Sequence, residues 1–88
     1  MPKISEFFGI IIYMYWNDTK RHKKPHIHVI FDNKQAVFSL EGEYLAGNIG
    51  RRASRLTLEF INERQVELHE AWKCAIANKE IPWIKLIS

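Results

Sequence analysis

Apolar positions first crowd together along this chain, then alternate, then recur with a helical period. Residues 7–16, Phe-Phe-Gly-Ile-Ile-Ile-Tyr-Met-Tyr-Trp, are rich in β-branched and aromatic types and apolar on both faces. Such a run predicts a strand covered at least in part on both sides, with Gly9 as a bulge or a point of close backbone approach. Asn17 and Asp18 open a polar loop that runs to Pro25. Two strands follow, His26 to Phe31 and Gln35 to Leu40, with a two-residue turn at Asn33 and Lys34 to pair them antiparallel. That register sets Phe31 opposite Ala36, Val29 opposite Phe38 and Ile27 opposite Leu40, all apolar and all on one face. A slip by one residue would send them to the other face. The second face then carries His28 across from Ser39, Ile30 beside Val37, and His26 across from Glu41. Gly42 and Glu43 predict a further turn that pairs Leu40 with Leu45 and adds Tyr44 and Ala46 to the histidine face, in a short fourth strand ending near Gly47.

Beyond Gly47 the period becomes helical. Ile49, Ala53, Leu56 and Phe60 form one stripe, and Leu68, Ala71, Trp72, Ala75 and Ile76 form a second. Asn62, with Gln65 three residues on, fits a capping box and predicts a break near 62–64. One bent helix is the alternative, because Ile61, Gln65, Leu68 and Trp72 keep the same spacing. Pro82 stops the helical run, and Ile81 to Ile87 reads as an extended tail able to add an edge strand. The expected fold is a single α+β domain over residues 1–88. A four-stranded antiparallel β-meander is followed by two C-terminal helices packed on the face of Ile27, Val29, Phe31, Phe38 and Leu40, with the histidine face left open or closed by a partner.

Composition supports a folded globule: 47% of residues are hydrophobic and 12% aromatic. The net charge of +3 permits nucleic-acid binding without demanding it. Cys74 is the one cysteine, so no internal disulfide forms, and a reducing cytoplasm is the expected compartment. No signal-peptide layout is read at the N-terminus, and the apolar run 7–16 is too short to span a bilayer.

Chemistry concentrates in His22-Lys23-Lys24-Pro25-His26-Ile27-His28, which holds three of the four histidines. His26 and His28 leave a strand from the same face, and imidazole is both the commonest metal ligand and the side chain that titrates near neutrality. Three uses stay open beside a solvated sheet face hydrogen-bonded to Ser39 and Glu41. His22, His26 and His28 would ligate a divalent metal such as zinc, with Asp18 or Glu41 as a fourth ligand. His26 and His28 would instead serve as base and acid in RNA cleavage, with or without metal assistance. Phosphate would be held by Lys20, Arg21, Lys23 and Lys24. Arg51 and Arg52, with Arg55, form a second basic patch where the first helix starts. The alternative for Arg55 is an ordinary pair with Glu59 at i, i+4. Tyr13, Tyr15, Trp16 and Tyr44, on or near the histidine face, suit base stacking or a protein surface.

The chain resembles a family of small bacterial proteins, domain of unknown function 4160. The resemblance is carried by Pro2-Lys3-Ile4-Ser5, Phe7-Phe8-Gly9-Ile10, Met14-Tyr15-Trp16-Asn17-Asp18, a His-x-Pro-Pro-His-x-His type motif at His22, Pro25, His26 and His28, Arg51-Arg52-Ala53, and Trp72. The sequence departs from the pattern where Thr19, Lys20 and Arg21 separate Asp18 from His22, and where Lys24 replaces the first proline. The resemblance assigns no activity. It implies one half of a two-gene module similar to toxin–antitoxin operons, hence a cytoplasmic protein with a small protein partner encoded nearby. RNA or DNA binding, toxin or antitoxin role, and self-association are left open.

Overall fold

In the computed structural model, which describes residues 3–15 and 24–85, the strands are β1 (Lys3–Phe7), β2 (Ile10–Tyr13), β3 (His26–Phe31), β4 (Lys34–Ser39) and β5 (Tyr44–Gly47). They form one antiparallel meander in chain order, followed by α1 (Arg51–Glu63) and α2 (Gln65–Ile76). The sheet has five strands, not four. The long apolar run is broken at Phe8 and Gly9, whose φ values of 50° and 79° make a two-residue turn pairing Phe7 with Ile10. Both positions of such a turn need positive φ. Gly9 meets that need without strain, and Phe8 meets it with its ring in solvent. A turn with no polar residue cannot be told from strand interior by hydropathy, which is why the run reads as a single element.

The β3–β4 turn lies at Asp32 and Asn33, with φ of 51° and 63°, one residue earlier than the pattern predicts. Asp and Asn tolerate this left-handed region better than the Lys of the expected turn. The pairing is therefore Ile27 with Phe38, Val29 with Ala36, His28 with Val37 and His26 with Ser39. The ladder is displaced by two residues, so every side chain keeps its predicted face while changing its neighbour. In the last hairpin a bulge opposes Val37 and Phe38 with Ala46 and Tyr44, leaving Leu45 as the extra residue. Ala46 stays on the histidine side. Tyr44 does not, and its ring meets the core residue Phe38 edge-on at 6.2 Å.

Two helices form, as the break predicts. Arg64, not Asn62, caps the second helix, leaving helical geometry at φ −117°, ψ 31° with no side-chain cap bond, and the Gln65 side-chain amide instead donates to the Leu40 and Ile61 carbonyls. Ala53, Phe60, Ile61, Leu68, Ala71 and Ala75 join Ile12, Ile27, Val29 and Phe38 in one buried cluster, with Phe60 stacked on Phe7 at 4.8 Å. Ile76 of the predicted stripe is exposed. The extended C-terminal segment lies along β1: the Ile84 amide donates to the Ile4 carbonyl, and the Ser5 hydroxyl donates to the Ile84 carbonyl, both at 2.8 Å. This covers a backbone edge that would otherwise invite pairing with another chain. Among the described residues no helix is long and apolar enough to cross a membrane.

Candidate functional site

His26 and His28 leave β3 together, with ring centroids 5.1 Å apart and planes at 66°, but their surroundings differ. His26 is fully buried, and its ring lies 5.5 Å from that of Trp72 on α2. Its Nδ1–H donates to the Lys24 carbonyl at 2.6 Å. A carbonyl only accepts, so that nitrogen carries the proton. The histidine face is thus not left open at its β3 start, because Trp72 reaches the first residue of the strand. His28 is half-buried; its Nδ1 shares a 3.0 Å hydrogen bond with the Tyr15 hydroxyl. The Tyr15 and His28 rings stack at 4.1 Å and 14°. Each Nδ1 is thus held by a hydrogen bond of the kind that orients a histidine ring.

Alanine at His26 is expected to lower stability by about 2–3 kcal/mol, because it empties buried volume and orphans a carbonyl. Alanine at the half-buried His28 should cost less than about 1 kcal/mol. Urea unfolding of the two variants checks this; equal losses would contradict the division of roles.

His22, the third predicted metal ligand, lies outside the described residues, as do Asp18, Lys20, Arg21 and Lys23. Among the described residues no three His, Cys, Asp or Glu side chains are grouped to hold a metal ion. Lys24 is exposed and donates to Glu43 at 2.6 Å. The hydrogen-bonded carboxylate raises the lysine pKa above its ordinary value. Part of this cation is therefore matched within the fold rather than offered outward. The Ser39 hydroxyl, expected beside a histidine, accepts the Glu41 and Glu43 amides at 3.2 and 2.9 Å and so shapes the β4–β5 loop.

Arg51, Arg52 and Arg55 border a concavity of about 420 Å³ at the start of α1. All three are exposed. The first turn contains no acidic residue, and among the described residues none of the three arginines is in an ion pair, the expected Arg55–Glu59 pair included. The Asn48 side-chain oxygen accepts the Gly50 amide at 2.8 Å and fixes the approach to the helix. A helix start carrying uncompensated guanidinium groups attracts anions through side chains and backbone together.

A second concavity, about 290 Å³, lies on the histidine side of the sheet between Tyr15, His28, Gln35, Ala36, Val37, Ala46 and Gly47. Its walls come from β3, β4, β5 and the residues after β2, so no single segment of sequence announces it. Gln35 and Val37 become legible as lining only once His28 is paired with Val37. Three residues lie between Gly47, on the rim of this concavity, and Arg51, on the rim of the other, so these two residues are at most about 14 Å apart.

A meander with helices on one face, a histidine pair on β3 and arginines opening α1 is the arrangement on which a known family profile falls. The family described as "Domain of unknown function (DUF4160)" matches residues 9–73, and the chain belongs to it. The match runs from the first turn glycine to just past Trp72. No curated protein and no solved structure shows significant similarity to the chain.

Proposed function

We propose that this protein is a nucleic-acid-binding component of a toxin–antitoxin-like two-gene module, holding phosphates at the start of α1 and working beside a small protein partner in the cytoplasm. The observation that carries the binding reading is the group of three exposed arginines around one concavity, at a helix start whose first turn has no acidic residue. Arg51 and Arg55 stand one turn apart on the same helix face, a spacing suited to contacting neighbouring phosphates. The two-gene setting is what the family resemblance implies. Lys20, Arg21 and Lys23, which lie outside the described residues, and Lys24, whose charge is partly matched by Glu43, are the further phosphate-holding candidates in this reading.

Fluorescence anisotropy of a labelled single-stranded RNA tests it. Binding is expected to weaken on a log–log plot against salt with a slope near −0.7 for each phosphate held, hence about −2 for three. Binding that ignores salt, or none at low salt, would reject the reading. Histidine-dependent RNA cleavage is the second reading, favoured by the half-buried His28 at the rim of the sheet concavity. Its test is loss of cleavage in the His28→Ala variant, with circular dichroism verifying that the variant is folded; cleavage that survives rejects it.

A further inference from the structure

We infer that the concavity between Tyr15, His28, Gln35, Val37 and Ala46 is a binding site for one unpaired base of a single strand, with adenine preferred. The inference rests on the nucleic-acid reading above and names the part of the ligand that the arginines do not hold. At about 290 Å³ the site lies at the small end of the ~300–1,000 Å³ range of ligand pockets, suited to one heterocycle. Val37 and Ala46 supply apolar walls. Gly47 is there because its backbone packs directly on β4; a Cβ would stand 2.3 Å from the Gln35 carbonyl oxygen.

Three polar groups line the same space. The Gln35 carboxamide offers a donor and an acceptor side by side, the pattern that reads the N6 and N7 edge of adenine. The Tyr15 hydroxyl and the His28 ring lie together along another wall, held as a stacked aromatic pair. Unpaired bases are taken up by stacking on aromatic rings and by hydrogen bonds to their exposed edges, whereas a base inside a duplex presents neither face. Gly47, at one end of the site, is at most about 14 Å from Arg51 along the backbone, and in this proposal a flexible strand spans from the arginines to the sheet.

The test uses three labelled 12-nucleotide RNA probes, oligoadenylate, oligouridylate and an abasic strand with the same phosphates, titrated against the full chain and its Gln35→Ala and Ala46→Phe variants. Gln35 is exposed, so its alanine variant keeps the fold, and circular dichroism verifies both variants. Oligoadenylate should bind about tenfold more tightly than the abasic strand and more tightly than oligouridylate. Gln35→Ala should erase the preference for adenine over uracil. Ala46→Phe should bring oligoadenylate to the abasic level without changing the salt slope. Three strands that bind alike with the salt slope intact would overturn the base site and leave the phosphate reading standing. Absence of binding by any strand would overturn both.

Discussion

Alanine at Gly47 is expected to lower the free energy of unfolding by about 2–4 kcal/mol, far more than one added methyl costs elsewhere in this chain. Two causes act together. The residue sits at φ +78°, where an L side chain is strained, and its Cβ would lie 2.3 Å from the Gln35 carbonyl oxygen and 2.8 Å from the Ala36 Cα. Both obstacles are backbone, so no rotamer change relieves them. The Asn48 amide also bonds the Gln35 carbonyl at 2.8 Å, so a shift of Gly47 away from β4 would strain that bond as well. Gly42 gives the comparison. Its φ is +91°, yet a Cβ there would meet only the end of Leu58 at 3.5 Å. Alanine at Gly42 should therefore cost only the conformational part, about 1–2 kcal/mol. Urea denaturation of the two variants separates steric approach from backbone conformation; equal losses would mean that β5 is free to move away from β4.

Replacing Arg51, Arg52 and Arg55 with glutamate is expected to weaken single-stranded RNA binding by at least about 100-fold at low salt and to flatten the salt slope by about 2. The same change should leave the fold intact and raise the unfolding midpoint slightly. Acidic side chains in a first helical turn interact favourably with the helix dipole, and arginines there do the reverse. None of the three is buried or ion-paired among the described residues, so their replacement breaks no ion pair there. Loss of binding together with a gain of stability would mark the arginines as present for a ligand. Unchanged binding would place the nucleic-acid surface elsewhere.

What could be read in the sequence follows from what each kind of pattern encodes. Alternation assigns faces, so it puts Ile27 and Val29 under the helices and His26 with His28 on the other side. Alternation does not assign partners, and the β3–β4 ladder moved by two residues because Asp32 and Asn33 accept positive φ. The first hairpin was hidden because its turn contains Phe8, a residue that hydropathy assigns to a strand interior. The helix break was legible through the Asn62–Gln65 spacing, although that pair does not cap the second helix. The burial of His26 was not, since alternation along β3 says nothing of Trp72, which comes to its ring from a helix far along the chain. The arginine group was plain in the sequence because it is local, whereas the sheet concavity is assembled from four separate segments.

Amide chemical-shift mapping of the ¹⁵N-labelled protein during titration with a short oligoadenylate tests the central claim most directly. Shifts are predicted to cluster at Arg51, Arg52 and Arg55 and to continue through Gly47 and Ala46 to Gln35, Val37 and His28. Shifts confined to the outer face of α2 around Val66, Glu70 and Ile76, or none at saturating RNA, would contradict it.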